Sequence, residues 1–199
     1  MRKLLIWTGI LFGSLLGLIV IVAMGLSYRT NSRLIRIYTI QTQAISVPTD
    51  AESVEEGRRL ASIYCAGCHG TDMAGKDFFN DPAIAVVDSP NLTRGKGGIG
   101  EQYSDADWVR AIRHGIDSQG KALFIMPSKD FYHFSDEDLG QLIAYLKNSQ
   151  AVDNESNDFT TTLLGRILVG AGIFGDVLNA ETIDHNSPLP ATADPGVTI

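Results

Sequence analysis

Both cysteines of this 199-residue chain lie in the sequence CAGCH, at positions 65 to 69. Thiols in this arrangement fit three chemistries: a disulfide, half of a metal site, or the covalent attachment of a haem. A Cys65–Cys68 disulfide would close a very short loop, so it would restrict the unfolded chain little and leave His69 without a role. A structural zinc site commonly takes four Cys or His ligands that arrive as two pairs, and the sequence has no second pair.

Covalent haem attachment accounts for every residue of the motif. The two thiols add to the two vinyl groups on one edge of the porphyrin, and the two-residue gap matches the separation of those vinyls. The histidine that follows is then held beneath the iron as an axial ligand. The motif therefore favours Cys65 and Cys68 as the attachment points of one haem c, with His69 bound to its iron. The disulfide and the metal site remain as weaker alternatives.

A second axial ligand has to come from a distant part of the chain. Two of the four methionines lie in the N-terminal apolar segment, and Met73 is only four residues after His69, too close to reach the opposite haem face. Met126 is therefore the expected ligand, in a loop stiffened by the proline that follows it. An isolated methionine is more often a core residue, and His133 is an alternative ligand.

The first axial ligand also needs a partner for its other ring nitrogen. A hydrogen bond from Nδ1–H of a bound histidine fixes the ring and tunes the metal. The sequence SPNLT at 89–93 offers the carbonyl of Pro90 for His69. This sequence lies in about forty residues rich in Gly, Asp, Asn and Pro, in which no strand is predicted. A loop of that length is unusual in a compact domain, so we expect it to wrap around the cofactor.

Three helices are predicted by capping boxes, in which a Ser or Thr precedes an acidic residue by three positions. The first predicted helix begins at Thr49 and runs to about Tyr64. The second begins at Ser104 and stops at Gly115, and the third begins at Ser135 and runs through SDEDLGQLIAYLKNSQ. In the last of these helices, apolar residues recur at the spacing of a core-facing stripe; they are Leu139, Leu142, Ile143 and Leu146.

With these motifs, residues 50–150 resemble a class I cytochrome c. The resemblance is carried by CAGCHG, PNLT, IMPS and LIAYLK. It implies an all-α class I cytochrome c fold around a covalent haem, in which the first and last helices cross with Gly57 against Tyr145. It also implies the pairing of Pro90 with His69 and ligation by Met126. Candidates for the haem propionates or the pocket wall are Tyr103, Trp108, Arg94 and Arg113.

The stretches EGRRLA and YSDADWVRAIRHGID further resemble membrane-anchored cytochromes c of bacterial respiratory chains and dehydrogenases. The segment from Leu4 to Leu26 contains 23 residues without a charge, enough for a helix to cross a hydrocarbon core of about 30 Å. A cleaved signal peptide would have a shorter apolar stretch that ends at a small-x-small site. We therefore expect an uncleaved transmembrane anchor at residues 1–28, a stalk at 29–48, a cytochrome c domain at 49–150, and a C-terminal helix with an extended tail at 151–199.

Charge is unevenly distributed along the chain. Residues 1–49 hold five basic residues and no acid, so residues 50–199 hold 11 basic and 23 acidic residues, a net charge of −12. Phosphate repulsion argues against a nucleic-acid partner, whereas an acidic surface suits docking to basic redox proteins. An acidic surface also simply keeps a domain soluble.

Taken together, the sequence predicts a non-enzymatic electron carrier with one haem c and His/Met ligation. We expect it in the bacterial cytoplasmic membrane, with the haem domain on the periplasmic side, where haem of this type is attached. Its partners would be redox proteins of a respiratory or dehydrogenase system. The alternatives are a fixed electron-relay subunit of a larger membrane oxidoreductase and, if Met126 is not a ligand, a haem enzyme with an open iron site.

Overall fold

A computed structural model describes residues 1–187; the predicted tail therefore lies partly outside the described residues. Within this range the chain forms seven α-helices, one short 3-10 helix at Asn179–Glu181, and three strands. The helices are α1 Arg2–Leu34, α2 Ala51–Tyr64, α3 Ala66–His69, α4 Asp105–His114, α5 Ser128–Phe131, α6 Asp136–Asn148 and α7 Leu163–Gly170; the strands are β1 Lys76–Asp81, β2 Ala85–Ser89 and β3 Thr160–Thr161.

The three predicted helices are present as α2, α4 and α6, and two of their three predicted caps are confirmed. Ser104 and Ser135 cap α4 and α6 through their side chains, and α4 ends at Gly115 in the left-handed conformation. The cap of α2 was predicted one residue too early. Asp50, not Thr49, accepts a hydrogen bond from the backbone N–H of Ser53 at 2.9 Å, since a carboxylate caps at least as well as a hydroxyl.

The first and last helices of the domain cross at the predicted glycine. A Cβ atom at Gly57 would overlap the backbone carbonyl of Gln141 and would lie 2.9 Å from the Cβ of Tyr145. Only a residue without a side chain allows the backbones of α2 and α6 to approach this closely. Around this crossing lies the main core, to which α2, α4 and α6 contribute buried apolar side chains: Leu60, Ala61, Trp108, Val109, Ile112, Leu139, Leu142, Ile143 and Leu146.

The expectation of an all-α fold needs correction, because the loop predicted to be without strands contains a hairpin. Strands β1 and β2 pair antiparallel, and β3 adds to the far edge of β2 to give the order β1-β2-β3. Alternate residues of β2, namely Ala85, Val87 and Ser89, are buried. This period of two is the pattern of a half-buried strand, but the strands are short and interrupted by acidic residues, which hid the pattern in the sequence.

Helix α1 is the one described helix long and apolar enough to cross a membrane, and this N-terminal helix indicates membrane anchoring. It continues as far as Leu34, past the predicted end of the anchor at residue 28. Beyond it the chain contacts the domain, because the N–H of Tyr38 donates to the carbonyl of Gly120 at 2.7 Å.

The C-terminal segment packs on both the anchor helix and the domain. Thr30 of α1 donates its hydroxyl to the carbonyl of Arg166 in α7 at 2.8 Å, and Arg33 forms an ion pair with Glu181 at 2.6 Å. A second apolar cluster joins Val169, Val177 and Leu178 to the segment that contains Phe124 and Ile125. The C-terminal segment therefore connects the end of α1 to the loop that precedes Met126.

Candidate functional site

The CAGCH motif lies where α2 ends and the short helix α3 begins. Cys65 is both the C-cap of α2 and the N-cap of α3. Its carbonyl accepts a hydrogen bond from the backbone N–H of His69 at 2.8 Å. One turn of helix thus brings Cys65, Cys68 and His69 to the same wall of a cleft, which all three side chains line. Cys65 and Cys68 are not joined by a disulfide.

The surroundings of Cys65 and His69 favour the neutral forms of these two side chains. Burial, together with the neighbouring Cys68, raises the pKa of the Cys65 thiol to about 12. Burial also lowers the pKa of His69, which the nearby Lys76 reinforces and the hydrogen bond to Pro90 opposes. A neutral imidazole has a lone pair free for a metal.

The other ring nitrogen of His69 has a backbone partner. Its Nδ1 lies 2.9 Å from the carbonyl oxygen of Pro90, to which an Nδ1–H would donate. Gly75, at φ +79°, lets the chain pass directly beside this proline, because a Cβ there would lie 2.8 Å from the carbonyl carbon of Pro90. Within residues 1–187, Nε2 of His69 makes no hydrogen bond, so that nitrogen is available to a ligand.

A buried hydrogen-bond network that was not predicted from the sequence holds the segment after Pro90. The side-chain amide of Asn91 donates to the carbonyl of Val152 at 2.8 Å, and its oxygen accepts from both the N–H and the hydroxyl of Thr93. Asn154 in turn donates to the carbonyl of Ala74 at 2.8 Å. The asparagine of the sequence PNLT was the one sign of this network in the sequence. The carbonyl groups to which it donates, those of Val152 and Asn154, lie some sixty residues further along the chain.

Met126 lines the same cleft from a loop that is held at several points. Ile125 adopts φ +68°, a left-handed conformation that is costly for a β-branched residue. Its N–H donates to the carbonyl of Val177 at 2.7 Å, and the hydroxyl of Ser128 donates to the carbonyl of Ala111 at 3.1 Å. The backbone on both sides of Met126 is therefore fixed, and the strain at Ile125 is maintained by these contacts.

The cleft between these elements is large and mainly apolar. The space between its walls, including the part open to solvent, is about 1260 Å³. Its walls come from the helices, from β2 and from the loop before Met126; the aromatic members are Tyr64, Phe78, Tyr103, Trp108, Phe124, Phe131 and Phe134. A large apolar cavity with a few convergent polar groups is the usual form of a cofactor site.

One buried polar atom in the cleft wall tests whether the residues fit a haem. Trp108 is 2% exposed, and among the described residues its Nε1–H has no hydrogen-bond partner. Leaving a buried donor unpaired costs about 1–3 kcal/mol, so an acceptor supplied by a cofactor would remove this cost. The carboxylates of a haem are such acceptors, and the residues present therefore fit the group.

The structure separates the remaining candidates for the pocket wall. Tyr103 lines the cleft with Trp108, whereas Arg94 is exposed and outside the lining. Arg113 is fully buried, but it pairs with Asp136 at 3.0 Å and so joins α4 to α6 away from the cleft.

The two other residues considered as iron ligands lie elsewhere. Met73 is 1% exposed within the main core, at φ +60°, and does not line the cleft. His133 is exposed to solvent and packs against the edge of the Tyr132 ring.

Comparisons with known proteins point to the same part of the chain. Residues 52–146 match a family model described as cytochrome c oxidase, cbb3-type, subunit III. The gluconate 2-dehydrogenase cytochrome c subunit of Pantoea cypripedii is 35% identical over 111 residues, which cover 52% of this chain and 25% of that protein. The alcohol dehydrogenase (quinone) cytochrome c subunit of Gluconacetobacter polyoxogenes is 34% identical over 111 residues, 51% of this chain and 23% of that protein.

A third relative is the fructose dehydrogenase cytochrome subunit of Gluconobacter japonicus, 34% identical over 102 residues, which cover 47% of this chain and 21% of that protein. The matched region thus spans about a quarter of the length of each of these relatives. The region that the family model matches, residues 52–146, contains the CAGCH motif, the Pro90 segment and Met126.

Proposed function

We propose that this chain, whose residues 52–146 belong to the c-type cytochrome family, is a membrane-anchored electron carrier with one covalently bound haem c. Cys65 and Cys68 would form the two thioether bonds, and His69 and Met126 would be the axial ligands. The observation that carries the proposal is that these four side chains line one large apolar cleft.

When bound, the haem would supply a one-electron couple that amino-acid side chains lack. The residues of the chain would hold and tune it. Pro90 accepts from Nδ1 of His69, which leaves Nε2 for the iron and fixes the ring orientation. Trp108 would donate its unpaired Nε1–H to a haem carboxylate. The apolar walls of the cleft would exclude water, and a drier site strengthens each of these contacts.

Ligation by both His69 and Met126 favours electron transfer over catalysis. If His69 and Met126 both held the iron, they would leave no coordination position for a substrate, and neither side chain would have to leave when the charge of the iron changes. Met/His ligation is also the arrangement associated with a comparatively high potential in cytochromes c. If Met126 were not bound, the open position would instead suit a haem enzyme.

We place the haem domain on the periplasmic side of a bacterial cytoplasmic membrane, because covalent attachment at a C-x-x-C-H motif belongs outside the cytoplasm. Helix α1 would hold the domain there. The acidic body of the protein, with a net charge of −12 over residues 50–199, would favour encounter with basic redox partners. No nucleic-acid partner is proposed.

A fixed relay subunit of a larger membrane oxidoreductase is the second candidate. It is favoured by the names of the relatives above, each of which is the cytochrome subunit of a dehydrogenase. Purification of the chain from its native membrane in mild detergent separates the two possibilities. A stoichiometric partner that survives high salt would favour the fixed subunit, and the chain alone would favour the tethered carrier.

The methionine-to-ferric-iron charge-transfer band tests the ligand assignment. We expect the band in the oxidised purified chain, its loss in Met126→Ala, and its retention in His133→Ala, which removes the alternative ligand. Absence of the band from the unsubstituted chain, or its survival in Met126→Ala, would overturn ligation by Met126 and favour an open iron site.

A further inference from the structure

A short apolar turn, residues 171–175, projects from the protein beside the end of α1. In this turn, Ile173 is 66% exposed and Phe174 is 44% exposed. No charged residue occurs between Arg166 and Asp176. Phe174 also borders a small apolar cleft with Phe79 and Val169. Exposed apolar side chains in a segment without charges are typical of an interaction surface.

Aromatic residues on α1 mark the level at which a membrane surface would lie. Trp7 and Tyr28 are both largely exposed; Trp7 lies near the start of the apolar stretch of the helix, and Tyr28 lies just beyond its end. They are separated by 21 residues, or about 31 Å at the rise of an α-helix, which matches a hydrocarbon core of about 30 Å. Trp and Tyr are enriched at the two membrane–water interfaces, so Tyr28 marks the interface nearer the domain.

The turn lies close to that level, because the glycine before it packs against α1. A Cβ at Gly170 would lie 2.7 Å from the carbonyl oxygen of Leu26 and 2.9 Å from the hydroxyl of Thr30. Gly170 thus lies beside the helical turn that contains Tyr28. The exposed residues Ile173 and Phe174 follow within four positions, so they lie near the depth of the interface.

We propose that the turn 171–175 is a second membrane contact, with Ile173 and Phe174 inserted at the boundary between headgroups and acyl chains. Lipid is the occupant that the surroundings favour, since the surface beside the turn is the exposed apolar surface of α1 itself. Apolar side chains of interfacial segments enter this boundary to a depth of about 5–10 Å. Asp176, at the end of the turn, would remain in the headgroup region.

This contact would fix how the cleft faces the membrane. Directly after the turn, the carbonyl of Val177 accepts the N–H of Ile125, the residue before Met126. The C-terminal segment already packs on α1, and a second membrane contact beside this helix would restrict rotation of the protein about the axis of α1. Membrane binding and the geometry of the cleft are therefore joined by one short segment.

Spin labels in vesicles test the contact. Ile173→Cys and Phe174→Cys, each in the full haem-loaded chain, are labelled and reconstituted into phosphatidylcholine/phosphatidylglycerol vesicles. Collision rates with oxygen, which concentrates in acyl chains, are compared with those of a water-soluble nickel chelate. The matched control is Ile63→Cys, since Ile63 is an isoleucine of similar exposure, 56%, on α2. The unsubstituted chain gives the labelling background from Cys65 and Cys68, so a failure of haem attachment is recognised separately.

We expect an oxygen-to-nickel collision ratio several-fold higher at positions 173 and 174 than at position 63. Equal ratios at the three positions would overturn the proposal, because the turn would then lie in water. Low collision rates with both reagents at 173 and 174 would also overturn it, because a protein surface such as a second copy of the chain would then cover the turn.

Discussion

The backbone N–H of Ile125 donates a hydrogen bond to the carbonyl of Val177, with 2.7 Å between the two atoms. Ile125 has a left-handed backbone conformation and directly precedes Met126, so this bond stabilises the strained end of the loop that carries the proposed ligand. Val177 is itself 5% exposed, in the cluster that also contacts Ile125. The C-terminal segment therefore supports the cleft from outside the region that the family model matches.

Loosening that support should weaken the bond from Met126 to the iron. Val177→Ala removes two buried methyl groups, so we expect the free energy of unfolding to fall by about 1–3 kcal/mol. We also expect added imidazole to bind more tightly, because it competes with methionine for the iron. The measurement is an imidazole titration of the oxidised chain followed by absorbance. Val109→Ala, an equally buried valine in α4, should lose similar stability without a change in imidazole affinity; equal affinities in all three proteins would contradict the assigned support.

Replacing Trp108 should destabilise the haem-loaded protein, in which we expect its Nε1–H to donate to a haem carboxylate. We expect Trp108→Phe to lower the free energy of unfolding by about 1.5–3 kcal/mol, the value of a hydrogen bond to a charged group, measured by urea unfolding of the oxidised chain. Tyr64→Phe, which trims another aromatic side chain of the same cleft, serves as the control and should have little effect. If Trp108→Phe were neutral or stabilising, its Nε1–H would have no acceptor in the loaded protein.

A histidine pair should make the docking of the C-terminal segment sensitive to acid. Nδ1 of His114 lies 2.9 Å from Nδ1 of His185. The pKa of His114 is lowered from 6.5 to about 4, mainly by burial and further by the nearby His185, Arg113 and Arg110. Since the unfolded chain binds the proton more readily, the contribution of His114 is complete above pH 6.5 and is lost as the pH falls towards 4.

We expect this loss to be on the order of 2 kcal/mol, allowing for screening by solvent. The measurement is the urea midpoint of the full chain at several values between pH 7 and 4. Because carboxylates also titrate there, the informative quantity is the difference from His114→Gln, which should lose less stability over this interval. His133→Gln, at an exposed histidine, should follow the unsubstituted chain. Parallel curves for the chain and His114→Gln would exclude this linkage.

Adding one methyl group at the helix crossing should separate α2 from α6. In Gly57→Ala, the new Cβ overlaps the carbonyl of Gln141, and overpacking of this kind costs about 1–3 kcal/mol. This outweighs the gain of up to about 1 kcal/mol in helix propensity. The measurement is the thermal midpoint, with Ser62→Ala at an exposed position of the same helix as control. A Gly57→Ala chain as stable as the control would mean that the helices do not meet there.

Local signals in the sequence predicted the three helices and two of their three caps correctly, for physical reasons. A Ser followed by an acid three residues later satisfies orphan backbone groups within a single turn, so Ser104 and Ser135 identify helix starts without knowledge of the fold. The C-x-x-C-H motif likewise brings three side chains together within one turn. The spacing therefore indicated the cleft wall that carries Cys65, Cys68 and His69.

The features missed in the sequence depend on distant partners. The hairpin β1–β2 is short, and its third strand comes from residues 160–161 far along the chain. The role of Asn91 depends on Val152 and Asn154, and the packing of α7 on α1 depends on Gly170. A glycine or asparagine has the same appearance in a sequence whether it faces solvent or another backbone, so these contacts become apparent only when the chain is folded.

A pyridine haemochrome spectrum of the purified full chain tests whether Cys65 and Cys68 bind one haem covalently. We expect one haem c per chain, retained after denaturation in detergent and extraction with acidified acetone, and lost from the protein when Cys65→Ala and Cys68→Ala are combined. A chain without covalent haem, a stoichiometry of two, or haem still attached in the double variant would contradict this expectation.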